Sequence, residues 1–255
     1  MAIVHGAIRR DLVRCRILLT VVGAERLAPG RRQAFGAHLQ FLARFIRWHH
    51  HGEDRIMHPE LITRDPGLRG LIEEMSRGHE AIAQAVQAME AAGRDLEAGE
   101  CPSARLLRVV AAVEEALLPH LAQEEHELMF HVARTLSQKE WRHLALAAWV
   151  RHQPQEILAA NGAFILDNQT PDDVAWFRAG IPVVLEDTLI AMYGARYRHR
   201  RALLWTETTA LDVPALSVEA RAMYGATMTA PAVPAPQPRD GTTGAARGMP
   251  AQNDP

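Results

Sequence analysis

The chain has 255 residues, enough for one large domain or a domain with an appendage, and 48% of them are hydrophobic, the usual share for a globular protein. A formal net charge of −2 argues against nucleic acid or an anionic membrane as the main partner. Two cysteines, Cys15 and Cys101, make neither a disulfide framework nor a CxxC motif, and the longest apolar run is too short to span a bilayer, so a soluble cytoplasmic protein is expected.

Helical periodicity marks four long segments. The first runs from about Ala2 to Leu27 and stops at "APG"; the second runs from near Arg31 to about Ile62, before "TRDPG". The third spans about Leu68 to Ala92, ending at "AGRD", and the fourth starts at Pro102 and Ser103 and runs to about Thr135. Short connections make neighbours antiparallel, and no strand pattern competes. The expected class is therefore all-α: an up-down-up-down four-helix bundle over residues 1–136. Further helices are expected over 137–210. "SQKE" at Ser137 is a capping box, Pro154 starts or bends another helix, and "TPDD" at Thr170 caps a third. The last helix is expected from about Ile181 to Trp205. From Leu211 the Pro-, Gly- and Ala-rich composition predicts a disordered tail over 211–255.

The unusual number is 13 histidines. Stepping three and four residues along each helix gives an apolar seam, and every seam carries one histidine. The first reads His5, Ile8, Leu12, Cys15, Leu19, Val22. The second reads Phe35, Leu39, Leu42, Ile46, His49, Glu53, Ile56, the third Ile72, Met75, His79, Ile82, Val86, and the fourth Val113, Leu117, His120, Glu124, Leu128. A single buried histidine is commonly a satisfied core residue. Six polar groups in four seams need a common cause, because buried imidazoles and carboxylates are costly unless paired or bound to a metal. Height agrees: Glu53 lies about 13 residues before the turn at Pro66 and His79 about 13 after it, so they sit at one level. His5, His49, Glu53, His79, His120 and Glu124 are therefore expected in one metal-binding layer. Four imidazoles and two carboxylates suit iron, zinc or manganese, are too many for one tetrahedral zinc, and fit two six-coordinate ions with Glu53 and Glu124 able to bridge.

Within "HHHGEDRIMHPEL", His49 points inward. His51 shares a face with Arg44, Arg47 and Asp54 and belongs to solvent. His50 lies at the seam edge as a supporting residue at most, and His58 lies on the helix flank. His126 and His131 have no carboxylate at ligand spacing, and His38, His143, His152 and His199 have no constellation around them.

The ordered blocks "VHGAIRRDL", "HHHGEDRIMHPEL", "MSRGHEAI" and "LLPHLAQEEHELM" resemble those of the hemerythrin-like HHE family over about the first 136 residues. "LSQKEWRHL" and "RYRHRRALLW" resemble the C-terminal extension of its actinobacterial members. The resemblance implies a non-haem di-iron centre that binds a small diatomic ligand (dioxygen or nitric oxide) or peroxide. Two departures from the oxygen carriers stand out. Their second histidine, one turn after the helix 3 ligand, is Ala83 here, which leaves the set one ligand short. They also place an acid five residues after the helix 4 histidine, the position of Glu125, whereas the seam favours Glu124. These departures favour redox chemistry or sensing over simple storage. A sensor or regulatory module without turnover is the alternative, and a metal-independent helical interaction protein is a third reading, disfavoured by the complete polar layer.

Overall fold

The computed structural model describes residues 1–179 and 183–219. It is helical, with no strand among the described residues. Helix α1 (Ala2–Val21) is followed by a second rod, α2 (Pro29–Gly52), which passes through a π-helical turn at Glu53–Met57 into α3 (His58–Arg64). Helix α4 (Arg69–Ala98) returns. The fourth rod is α5 (Ser103–Gln123), a π-turn at Glu124–Leu128 and α6 (Met129–Thr135).

Side-chain contacts fix the directions. Arg47 pairs with Glu90 and Ser76 with Asp54, so α4 descends as the second rod ascends. Arg105 pairs with Asp95 and Gln123 with Glu74, which sets α5 antiparallel to α4. Arg16 meets Glu114 and His5 meets Glu125, which sets α1 antiparallel to the fourth rod. The seams close inward: Leu12, Leu39, Val86 and Leu117 are fully buried.

Helix α4 runs on to Ala98, past the expected stop at "AGRD". Gly93 does not end the helix; it lets two backbones approach. A Cβ there would stand 2.7 Å from the Gly36 carbonyl oxygen on α2, and one at Gly36 would stand 2.5 Å from the Gly93 carbonyl oxygen. The helix ends instead at Gly99, in the left-handed conformation with φ +86°.

Beyond the bundle lie α7 (Gln138–Trp149), α8 (Gln155–Leu166), α9 (Pro171–Ala179) and α10 (Val183–Trp205). Ser137 and Glu140 form the expected capping box. Thr170 accepts from the Asp173 N–H at 3.1 Å to start α9. Helix α10 packs against α8 and α2, and buries Leu204 and Trp205. The packed chain passes the expected boundary at residue 211: Val213 and Leu216 are buried, and the Leu216 N–H donates to Gly6 O at 3.2 Å. A composition shift was a poor guide here because two apolar residues suffice to fasten a short segment to α1. The beginning of the last helix at Ile181 and the tail over 220–255 lie outside the described residues. No helix among the described residues is long and apolar enough to cross a membrane.

Candidate metal centre

Both long rods change character at a carboxylate. The π-turns begin at Glu53 and Glu124, each four residues after a seam histidine. An extra residue in one turn widens the helix and rotates the next turn about the axis, and such turns are frequent at functional sites. Pro59, which has no N–H to give, comes two residues after the first of them. The consequence shows in the seam: Met57 and His58 are buried, while Ile56, expected inside, is only half-buried.

All six expected residues are buried, and they fall into two groups. Ligand atoms of His5, His49, Glu53 and Glu124 lie within 4.8 Å of one another, as do those of His50, His79 and His120. Glu53 reaches both groups. Its Oε1 stands 3.1 Å from His49 Nε2 and its Oε2 3.5 Å from His79 Nε2. In the first group His5 Nε2 and His49 Nε2 face each other at 3.0 Å, and Glu124 Oε2 is 3.4 Å from His5 Nε2. In the second, His79 Nε2 and His120 Nε2 are 3.1 Å apart, and the His50 ring stacks on His79 with centroids 4.3 Å apart.

His50 therefore belongs to the layer itself, not to its edge. It fills the third place beside His79 and His120, and the supposed gap at Ala83 is not a gap: Ala83 is exposed, and the inward residue one turn after His79 is Ile82. Three residues fall short of a full turn by about 60° and four overshoot it by about 40°; Met75, Ile82 and Val86 are all buried on the same side of His79, so Ile82 joins the seam and Ala83 faces out. His58 is also inside, stacked 5.7 Å from His79 at an interplanar angle of 8°. His38 is buried too, 2.9 Å from Asp11, away from the layer. His51 is exposed, as expected.

Carboxylates outside the layer hold two of the rings. Glu125 Oε1 lies 2.7 Å from His5 Nδ1, and Asp54 Oδ1 lies 3.0 Å from His79 Nδ1. Each contact fixes the tautomer so that Nε2 is left as a lone-pair donor into the layer. This divides the two adjacent glutamates: Glu124 enters the layer, and Glu125 orients His5. Burial works to raise the Asp54 carboxyl, but hydrogen bonds with His58 and His79 outweigh it and hold it well below the ordinary carboxylate range.

The electrostatics fit a cation. Burial pushes His5, His49 and His50 well below the usual imidazole range, and burial followed by the neighbouring His79 lowers His120 to about 3. Burial therefore favours the neutral form of these rings and works against an ion pair of His49 with Glu53 or of His5 with Glu124. Burial also raises Glu53 well above the ordinary range, with Glu124 beside it adding to the rise, and burial raises Glu124 to about 7. Both Glu53 oxygens, Glu124 Oε2 and His50 Nε2 lack a hydrogen-bond partner of good geometry, although the Glu53 and Glu124 carboxyls lie close enough to share a proton. Such orphaned buried atoms are costly in any protein. Facing lone pairs and adjacent carboxylates are resolved by positive charge placed among them.

One wall of the layer comes from the extension. Trp149 stacks on His49 with centroids 5.7 Å apart, and its Nε1 donates to His49 O at 3.0 Å. It lies against Gly52, where a Cβ would stand 2.1 Å from the indole nitrogen. Gly52→Ala should push Trp149 off His49 at an overpacking cost of about 1–3 kcal/mol, read as a lower urea midpoint and a shift in tryptophan emission. Unchanged emission and stability would show that the indole does not need this close approach.

A helical bundle whose core carries two histidine groups joined by a buried carboxylate has the donor set of a site that could hold metal between helices. The model of the hemerythrin HHE cation binding domain matches residues 2–130, and the chain belongs to that family. No curated protein and no solved structure matches the chain. The helices from α7 onward lie beyond the matched region.

Proposed function

We propose that this protein holds two non-haem iron ions and binds dioxygen, nitric oxide or peroxide at them. The observation that carries this reading is Glu53, whose two oxygens each face a different histidine group. His5, His49, Glu53 and Glu124 would hold one ion, and His50, His79 and His120 the other with Glu53 shared. Imidazole and carboxylate donors without a thiolate suit iron, and membership of the cation-binding family favours it. When bound, the irons supply one-electron redox steps and coordination positions for a small ligand. The chain supplies orientation: Glu125 and Asp54 hold His5 and His79, and Trp149 covers His49.

A sensing role has one specific support. Arg9 Nη1 lies 2.8 Å from Glu125 Oε1 and donates to Leu216 O at 3.4 Å, so the carboxylate that orients His5 also touches the C-terminal segment.

The test is elemental analysis of protein expressed in iron-replete medium, with peroxide consumption measured per iron. Wild type is expected to carry two irons per chain. His50→Ala should lose about one of them, because it removes a buried donor from the second group, while His51→Ala keeps both. Equal iron in the two variants would return His50 to a supporting role. A fully folded wild type that takes up no iron would overturn the reading.

A further inference from the structure

The extension encloses a cavity that the metal layer does not use. It measures about 200 Å³ and lies between the start of α1, the upper part of α2 and helices α7, α8 and α9. Trp48, Trp141, Trp149 and Trp176 line it together with Phe177 and Ile165, and His49 forms part of one wall. Most of this lining comes from residues after 136, outside the region matched by the family. Five residues, among them Trp141, Trp176 and Gln138, also line a wider cleft that opens outward. The cavity therefore has an entrance.

Its chemistry is restrictive. An apolar cavity of about 150 Å³ stays dry and accepts a single aromatic ring. The present one is somewhat larger, and the four indoles in its lining, Trp149 stacked on His49 and Trp176 at the exposed rim, are rings against which a planar ring packs at offset or edge-on geometry. The polar side chains Gln138 and Arg142 belong to α7, and Arg142 is exposed. We propose that this cavity is a binding site for an uncharged planar aromatic molecule of one or two rings, seated against Trp149 beside His49. The assignment stands on the shape and lining of the cavity and does not depend on which metal the layer holds.

Naphthalene is a suitable probe, titrated into the full chain by calorimetry and by saturation-transfer NMR, with metal present and with metal removed. Binding is expected below the solubility limit of naphthalene. Ala145→Trp and, separately, Leu146→Trp place an indole inside the cavity from α7, and each should weaken binding by about tenfold or more with metal content unchanged. Circular dichroism checks that each variant folds, and two positions guard against one of them failing. The proposal is overturned if naphthalene does not bind, if it binds the filled variants as well as wild type, or if decane binds and naphthalene does not. It also falls if binding appears only after residues 220–255 are removed, because the chain itself would then be the occupant.

Discussion

Glu53→Gln is expected to abolish the paired centre while making the metal-free chain more stable. The two effects have one cause. Glu53 is buried to 1% exposure, both its oxygens lack hydrogen-bond partners of good geometry, and each faces a histidine of a different group. On the proposed two-ion reading the carboxylate would be the charge shared by both positions, and an amide of the same shape is a far weaker donor. Dialysis against a weak chelator should leave the variant with fewer than about one ion per chain, because a lost donor costs more than the ten- to hundredfold typical of outer partners. Without metal the sign reverses. Folding raises the Glu53 carboxyl well above its ordinary 4.5, chiefly through burial. A raised carboxyl contributes its full stability below the unfolded value and loses it as pH climbs toward the folded value. Metal-free wild type therefore pays more at pH 8 than at pH 6, and the amide removes that cost. Urea unfolding of chelated protein should show the variant ahead of wild type, by a wider margin at pH 8. A metal-free variant less stable than wild type at both pH values would mean that a proton shared with Glu124 already satisfies Glu53.

The bundle and its polar layer were legible because burial and spacing speak the same language in a helix. His5, His49, Glu53, His79, His120 and Glu124 sit on seams whose other members are aliphatic, so each is placed by its neighbours. His50 is hidden by its neighbour: it stands four residues after Ile46 and seven after Ala43, on the buried face of the straight helix, beside the histidine that the seam already claims, whereas His58 is turned inward only by the π-turn at Glu53–Met57. The signal that could have found that turn is a run of four-residue steps: His49, Glu53, Met57, Leu61 on one rod and His120, Glu124, Leu128, Val132, Leu136 on the other, all buried. Each such step overshoots a straight helix by about 40°, so a run that stays inside requires an extra residue in the turn. His38 escaped for a different reason. Its partner Asp11 lies on another helix, and no pattern within α2 announces it. The cavity walls were equally hidden, since they combine α1, α2 and the extension at distances no local spacing encodes.

The extension's attachment leads to the second large effect: Asp11→Asn should cost about 3–5 kcal/mol, the usual result of leaving buried charges without their counter-ion. Helix α1 buries Arg9, Arg10, Asp11 and Arg14, none more than 1% exposed. Asp11 Oδ1 stands 2.7 Å from Arg10 Nε and 3.1 Å from Arg14 Nη1, and its Oδ2 stands 2.9 Å from His38 Nε2. The arginines reach outward to the extension. Arg10 donates to Phe164 O at 2.8 Å, and Arg14 donates to Ala210 O at 2.9 Å and to Asp167 Oδ2 at 2.5 Å. Asp167 is shared with Arg201 of α10 at 2.7 Å, so it cannot replace the missing charge alone. Burial tends to raise the Asp11 carboxyl, but Arg10 and Arg14 outweigh it and hold it far below its ordinary 3.8. A depressed carboxyl contributes stability above the unfolded value and loses it only as pH falls toward the folded one. The deficit of the variant should therefore be the same at pH 5 and pH 8, and urea unfolding at both values measures it. The triple replacement Arg10→Met, Asp11→Leu, Arg14→Met removes the charges together and should recover most of the loss, because apolar packing of similar volume often matches a buried ion cluster. A deficit below about 1 kcal/mol for Asp11→Asn would mean that Asp167 and the carbonyls of Phe164 and Ala210 already satisfy the two arginines without Asp11.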